Sequence, residues 1–399
     1  MPCVTPVFLM LCFIATVLGW ASKCKEDGTG LRLSYRPMSK DRPSQWYNRM
    51  GDIGTRMNKP LSERVRARRH LLPYACVRKN TPWYEQPEIR QSQNTREKDT
   101  SMNASSETWQ LGDQAVQVSH LEKVYWPQTG FTKGDLLSYY RQIAPVALPY
   151  LKDRPVTLRV YPQGVSGTSY YLRDCPVDAP DWLRRVQYQP KTVSHPVPLP
   201  LIDTAAGLLW FANQGAIEFH LWGSHLPDLT QPDLAIFDLD PGETASFGAV
   251  REAALRLHDA LEQEGVKGYP KTSGGNGLHV FVSLEACHTF ERVRTWVKAV
   301  GQQLAANYPD LIALARGATH QGGRVTVDYA QNSLGRNTAA PYTLRAHQAH
   351  PTVSTPLTWE ELDASTIHPA DLTPQVVLER VGRLGDLFAP VLQADQRIA

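Results

Sequence analysis

The stretch "AIFDLDPGE", residues 235–243, ends an apolar run in two aspartates, Asp238 and Asp240. Side chains two apart on a strand leave the same face, so the two carboxylates stand together, with Leu234 and Ile236 behind them. Like charges that close resist joint ionisation unless a cation lies between them. Hard divalent ions such as Mg²⁺ and Mn²⁺ take oxygen ligands of this kind. The same residues also suit a strand-end turn, with Pro241 and Gly242 as its punctuation. Taken alone, the motif fits both readings.

A third carboxylate shifts the balance. "RVTVDYA", 324–330, reads as a further strand with Asp328 in its C-terminal half. As a neighbour of the first strand, it brings Asp328 beside the pair. Three carboxylates suffice to hold two metal ions about 3.5–4 Å apart for in-line phosphoryl chemistry. "KTSGGNGLHVFV", 271–282, is a polar glycine-rich turn running into a strand. The backbone N–H groups of Ser273, Gly274 and Gly275 can form an anion nest there. Glycine lets a phosphate approach the backbone closely. The stretch is not a Walker A loop, because GxxxxGK[ST] is absent, and an ordinary hairpin turn reads the same way. His220, in "AIEFHLW", and Arg345, in "APYTLRA", read singly as a satisfied core histidine and a paired surface arginine.

Around these motifs, helical and strand-like segments alternate. "FTKGDLLSYYRQIAPVALPYL", 131–151, repeats apolar residues at Leu136, Tyr139, Tyr140 and Ile143, with Thr132 as a cap. Residues 249–265 and 290–308 are two more amphipathic helices, the first stopped by Gly265, and "PQVVLERVGRLGDLF" closes the domain. "AIEFHLW", "DLAIFDLD", "GLHVFVSL" and "RVTVDYA" are the strands, which makes the fold class α/β or α+β. No internal repeat is present.

The 399-residue length allows one large domain or two ordinary ones, and the net charge of +3 is too small to argue for a partner. Three regions are expected. Residues 1–21 hold an apolar segment with Gly19 and Ala21 as small residues, like a secretory signal, but no Lys or Arg precedes it. It is read as sequence upstream of the true start, with Met102 a candidate start that leaves fold and activity intact. Residues 22–105 are basic, with about twice as many basic as acidic side chains over 21–100, and are expected to be disordered. Within them "ERVRARRHL" is a solvated cluster, and "KEDG", 25–28, matches a ligase adenylation lysine motif by chance. Residues 106–395 form the folded domain. The six cysteines make no CxxC or zinc spacing and are read as reduced thiols of a cytosolic protein.

The motifs taken together resemble a known family. "FDLDPG", "TSGGNGLHVFV", "VDYAQNSLGRNTAAPYTLRA" and "PTVSTPLTWEEL" follow in the order of the polymerase domain of bacterial ATP-dependent ligase D, in the archaeo-eukaryotic primase superfamily. "LEKVYWPQTGFTKGDLLSYYRQIAPVALPYLKDRPVTLRVYPQG", 121–164, is similar too, so the resemblance covers roughly residues 110–390. It implies an α+β primase-polymerase domain, here stand-alone, with a central mixed or antiparallel sheet flanked by helices. It also implies a nucleotidyltransferase that adds ribo- or deoxyribonucleotides to a DNA primer 3′-hydroxyl, using two Mn²⁺ or Mg²⁺ ions and NTP or dNTP substrates.

By the resemblance, Asp238, Asp240 and Asp328 are the catalytic metal ligands. His220, Ser273, Gly274, Gly275, Gln331 and Arg345 lie about the triphosphate, and one of Tyr170 and Tyr171 stacks on the base. Lys123 and Lys133 grip a DNA 5′-phosphate. The implied role is gap filling in non-homologous end joining, on DNA with gaps or double-strand breaks, with Ku and a separate ligase as partners. The implied location is the cytoplasm, at the nucleoid, with no membrane partner. Two departures stand out: Asn276 replaces a usual lysine, and Gln321 lies where Arg or Lys is common, with Arg324 or Arg336 as substitutes. They keep open a catalytically weak module that only holds DNA ends. "FDLDPG" also resembles the nucleophile motif of haloacid-dehalogenase-type phosphatases, but Pro241 follows the aspartates and no late acidic pair appears.

Overall fold

The computed structural model describes residues 21–27, 30–36, 106–190, 193–314, 322–346 and 349–398. Two units are present, divided at Val77/Arg78. In the first, β1 (Ala21–Asp27) and β2 (Gly30–Arg36) form an antiparallel hairpin with Asp27 opposite Gly30. This part of 22–105 therefore carries strands where the sequence reading expects none; Asp-Gly is itself a hairpin-turn signal. "ERVRARRHL", Met102, Gln321 and nearly all of the apolar segment lie outside the described residues.

The second unit opens with two antiparallel pairs, β3 (Ser106–Leu111) with β4 (Gln114–Ser119) and β5 (Val124–Trp126) with β6 (Phe131–Thr132). Helix α1 (Lys133–Leu151) starts where expected. The Thr132 hydroxyl accepts the Asp135 N–H while Asp135 returns the bond to Thr132 N–H, a capping box. Its Leu136, Tyr139, Tyr140 and Ile143 stripe is buried.

Two sheets follow. β7 (Val156–Val160), β8 (Tyr170–Leu172), β11 (Ala216–Trp222) and β17 (Asn337–Ala339) form an antiparallel sheet in the order β17-β11-β7-β8. Between them in sequence come the pair β9 (Arg185–Tyr188) and β10 (Val197–Pro200), then helix α2 (Ala205–Asn213). The second sheet holds β12 (Leu234–Pro241), β13 (Tyr269–Thr272), β14 (Leu278–Ser283), β15 (Ile312–Leu314) and β16 (Val325–Val327), in the order β13-β14-β12-β16-β15. It is mixed, because β15 and β16 run parallel. Helices α3 (Phe247–Gln263) and α4 (Phe290–Asn307) pack on it. β18 (Leu344–Arg345) pairs with β19 (Thr352–Val353), and α5 (Trp359–Asp363) and α6 (Pro374–Leu384) follow. The α+β class holds, with the strands gathered mainly in one antiparallel and one mixed sheet.

Alternation decides what each sheet shows to either side. On β12, Phe237 meets Trp296 of α4 edge-on at 5.4 Å, and Leu239 shares that helix-covered side with Val327. Asp238 and Asp240 therefore leave the other face. On β11, Phe219 packs against Tyr140 of α1 at 5.0 Å, so Glu218 and His220 project away from that helix. Both sheets thus spend one face on the core and keep a polar face. At their start they are joined by Arg154, just before β7, which makes a two-pronged ion pair with Asp233, just before β12. Burial pushes the Asp233 carboxyl up, but Arg154 and His225 outweigh it and hold the group at about 2.

Candidate active site

Register brings the expected aspartates together. Asp240 lies opposite Thr326, and the Asp328 N–H donates to the Asp238 carbonyl at 2.9 Å. Asp238, Asp240, Thr326 and Asp328 thus occupy adjoining positions on one sheet face, as the neighbouring-strand expectation required. Asp328 sits just past β16, where its Oδ1 accepts the Ala330 N–H at 2.9 Å. The turn is clamped by Asn332, which is buried. Its Oδ1 accepts the Ile236 N–H and its Nδ2 donates to the Ile236 carbonyl, both at 2.8 Å. Gln331 faces the other sheet: its Nε2 donates to the Asn337 carbonyl and to Thr338 Oγ1, on β17.

The row continues across β12. Asp238 is paired with His279 on β14, and His279 with Lys271 on β13. The His279 Nε2 lies 3.3 Å from Asp238 Oδ1, and the Lys271 Nζ lies 2.8 Å from His279 Nδ1. A charged lysine can only donate, so with Lys271 protonated Nδ1 accepts and the Nε2–H points at Asp238. Lys271 also donates to Ser354 Oγ at 2.6 Å, and that hydroxyl donates onward to the Thr272 carbonyl at 2.7 Å. Burial pushes the Lys271 amine well below its ordinary range, with Arg345 adding to the effect. His279 is pushed down by burial and then by the Lys271 charge. Sequence reasoning missed both residues. Each lies four residues from Gly275, and residues equidistant from a hairpin centre face each other, which is the signal that could have found them.

Among the described residues, no group of three or more His, Cys, Asp or Glu side chains converges closely enough to hold a metal ion as it stands. The donor chemistry fits one nevertheless. Three carboxylates share one face, and the Thr326 hydroxyl, buried beside Asp240, has no hydrogen-bond partner. A hard divalent cation is the species that satisfies clustered carboxylates and a stranded oxygen together. Gly277, just before β14, follows the Leu239–Leu278 pair on the Asp240 side; a Cβ there would lie 2.7 Å from the Leu239 carbonyl oxygen and 3.5 Å from Asp240 Oδ1. Its lack of a side chain keeps that side of Asp240 open.

The β17-β11-β7-β8 sheet and the neighbouring β18 supply a cationic and aromatic wall. Glu218 is fully buried and gathers His220 Nε2 at 3.0 Å and Arg345 Nε at 3.3 Å. Burial lowers the His220 pKa, while the bond to Glu218 opposes that shift. Arg345 also donates from NH1 to the Ser273 carbonyl, tying the glycine-rich turn to this wall. Gly274 makes the approach possible: its φ is +76°, and a Cβ would come within 2.3 Å of Arg345 Cγ.

Of the two readings of the glycine-rich stretch, the hairpin turn is the one formed, and the three-donor nest is not formed as such. The Ser273 N–H is spent on the Gly277 carbonyl, and the Gly275 N–H on Ser273 Oγ, which also accepts the Gly277 N–H at 3.2 Å. The turn is stapled internally because its glycines leave no side chain to brace it. Asn276 is exposed at the turn, Arg336 is exposed, and Arg324 is half-buried beside the Pro309 carbonyl.

The aromatic pair splits between two faces. Tyr171 is paired with Arg159, itself paired with Glu218, so Tyr171 joins the Glu218 face; Tyr170 is paired with Val160 and takes the opposite side. The Arg159 guanidinium lies 5.5 Å from the Tyr171 ring centre, and the His220 ring centre 6.2 Å from it. Both tyrosines are half exposed.

Lys123 and Lys133 are brought close by the β5–β6 pairing, with the Lys133 N–H donating to the Lys123 carbonyl at 2.8 Å. Lys123 reaches the Pro162 carbonyl at 2.7 Å and Gln163 Oε1 at 2.8 Å. Burial and the neighbouring Lys123 charge lower Lys133 to about 8. Two cations held near each other are stabilised by an anion between them. No helix among the described residues is long and apolar enough to cross a membrane.

Known proteins share this arrangement of chain. Residues 132–388 match the family described as LigD, primase-polymerase domain. The multifunctional non-homologous end joining DNA repair protein LigD of Mycobacterium tuberculosis is 35% identical over 298 residues, which are 72% of this chain and 38% of the relative. The bifunctional non-homologous end joining protein LigD of Bacillus subtilis is 28% identical over 274 residues, 68% of this chain and 43% of the relative. This chain thus spans about two fifths of the length of these curated relatives. Among solved structures, the polymerase domain of Mycobacterium tuberculosis ligase D in complex with DNA superposes with a TM-score of 0.65 at 34% identity, covering 70% of this chain and 98% of that one. A family match over most of the second unit, and a structure that this unit reproduces almost end to end, make the chain a member of the LigD primase-polymerase family.

Proposed function

We propose that the chain adds ribo- or deoxyribonucleotides to a DNA primer 3′-hydroxyl and fills gaps during non-homologous end joining. The observation that carries the reading is the shared register of Asp238 and Asp328, on a sheet whose Ser273 turn is bonded to Arg345. Asp238, Asp240 and Asp328 would hold two divalent cations, Mn²⁺ or Mg²⁺. Such ions supply Lewis acidity toward a phosphoryl group and lower the pKa of a bound hydroxyl.

The chain's own residues do the rest. His220, Arg345 and the Ser273 turn bind and orient the triphosphate, offsetting its charge as the α-phosphate is attacked. Tyr171 stacks on the base, since it is the tyrosine on the Glu218 face. His279, oriented by Lys271, donates to Asp238 and keeps that carboxylate aimed. Gln331 holds β17 against the Asp328 turn. Lys123 and Lys133 take the downstream 5′-phosphate, which places the enzyme at a gap or break rather than along continuous duplex.

DNA with gaps or double-strand breaks is the proposed partner, with Ku and a separate ligase, in the cytoplasm at the nucleoid. The test is templated addition to gapped DNA bearing a downstream 5′-phosphate, with Mn²⁺ or Mg²⁺ and ribo- or deoxyribonucleotides. Addition of one templated nucleotide is the expected result. DNA binding with no addition would favour the end-holding module, for which the neutral, exposed Asn276 is the motivating feature.

A further inference from the structure

Both halves of the proposed nucleotide site attach to Glu218. It has no solvent exposure, and it follows a β-bulge at Ala216/Glu218 that breaks the β11–β7 register. Bulges re-aim side chains next to functional sites. Oε2 meets His220 Nε2 at 3.0 Å and Arg345 Nε at 3.3 Å. Oε1 accepts the Tyr161 hydroxyl at 3.1 Å and the Ala346 N–H at 3.2 Å, and lies 3.9 Å from Arg159 NH1. Arg159 in turn lies 5.3 Å from the Tyr161 ring centre and 5.5 Å from that of Tyr171.

We infer that Glu218 is a positioning residue for the nucleotide, joining the triphosphate arm of His220 and Arg345 to the base platform of Tyr171 through Arg159. The inference rests on the nucleotide-site reading above. A buried carboxylate is costly unless its partners compensate it, and here the partners are the side chains that read the nucleotide. With Glu218 present, Arg345 and His220 are already aimed before the triphosphate arrives, so binding spends little on ordering them. One carboxylate ion-paired with both arms also sets the distance between phosphate and base positions.

The test is equilibrium binding by the full chain, with inorganic tripolyphosphate and with a nucleoside triphosphate as separate probes. Glu218→Gln keeps the shape and removes the charge. It is expected to weaken tripolyphosphate binding about tenfold or more, the scale of a lost charge-assisted bond, with gapped-DNA affinity unchanged. In a His220→Gln/Arg345→Met background, the same substitution is expected to add almost nothing. Arg159→Lys keeps the charge but loses the planar stacking group. It is expected to weaken nucleoside triphosphate binding and leave tripolyphosphate binding unchanged, and it lies outside the buried centre should Glu218→Gln fail to fold.

Wild-type tripolyphosphate affinity in Glu218→Gln, or an undiminished loss in the double-variant background, overturns the role. So does an Arg159→Lys variant that changes both probes equally or neither. If the wild type binds both probes but adds no nucleotide to DNA, the polymerase reading fails while Glu218 is still judged by these affinities. If it binds neither probe, the nucleotide site itself is wrong and both readings fall.

Discussion

Asp328 and Asp238 are held side by side by one backbone bond, the Asp328 N–H donating to the Asp238 carbonyl at 2.9 Å. That bond sits at the end of a short strand and survives because Asn332, four residues on, grips Ile236 on both its N–H and its carbonyl. Strand pairing brings the carboxylates together, and a side-chain amide holds the pairing shut.

Asn332→Ala leaves both Ile236 groups without their partner in a buried setting. The expected loss is about 2–4 kcal/mol, from two stranded backbone groups. Thermal unfolding measures it, together with a fall in nucleotide addition greater than in DNA binding. A variant as stable as the wild type would show that the Asp328 turn does not depend on this amide.

Gly274→Ala tests the close approach of the turn to Arg345. The left-handed backbone alone costs about 1–3 kcal/mol for a side-chain-bearing residue. The new Cβ also falls on Arg345 Cγ, so the guanidinium is displaced from the Ser273 carbonyl. Reduced stability should come with weaker tripolyphosphate binding. Weaker stability with unchanged binding would detach the turn from the phosphate site.

Thr326→Val removes a buried hydroxyl that has no partner beside Asp240. Two effects of opposite sign are expected. The metal-free protein should gain up to about 1–3 kcal/mol, the cost of burying an unpaired hydroxyl. The rise in melting temperature produced by Mn²⁺ should shrink. An unchanged Mn²⁺ shift would remove Thr326 from the cation site.

Lys133 gives the account a pH signature. Its folded value of about 8 lies below that of free lysine, so the amine loses its charge in the upper part of the working pH range. Preference for gapped DNA with a 5′-phosphate over a 5′-hydroxyl should therefore be full well below pH 8 and decline as pH rises through it. Bound phosphate favours the charged amine and moves the midpoint upward. Lys133→Met should flatten the profile and reduce the salt slope of binding by about one unit. A wild-type preference independent of pH would contradict the assignment. The sign for stability is opposite: the unfolded chain binds the proton more tightly, so this group makes folding more favourable as pH rises from about 8 toward the free-lysine value.

Much of this was legible in the sequence. The alternation of "AIEFHLW" and "DLAIFDLD" matches β11 and β12 almost residue for residue, because both strands bury one face on helices. Thr132 capped α1 as its spacing to Asp135 allows. Asp328 was placed on a neighbouring strand from its own apolar flanks. Pairing across long separations was less visible. Glu218 and His220 alternate with Ile217, Phe219 and Leu221, yet nothing local shows that Arg345 closes on Glu218 from more than a hundred residues away. Nothing local in the sequence sets Lys271 apart, and only the hairpin register shows it buried against His279. The division into two sheets depends on where β12 and β11 find partners, which single-strand periodicity does not encode. The glycine-rich stretch reads as an anion nest or a hairpin turn alike, because composition reveals permissive backbone, not where its N–H groups are spent.

The most direct measurement is single-nucleotide addition to gapped DNA by Asp238→Ala, Asp240→Ala and Asp328→Ala, each compared with wild type at matched DNA occupancy. All three variants should bind the DNA as wild type does and lose at least about a hundredfold in rate, the scale of removing a direct contributor to transition-state stabilisation. A variant at any of the three positions that keeps DNA affinity and near-wild-type addition would contradict the claim that this carboxylate row carries the chemistry.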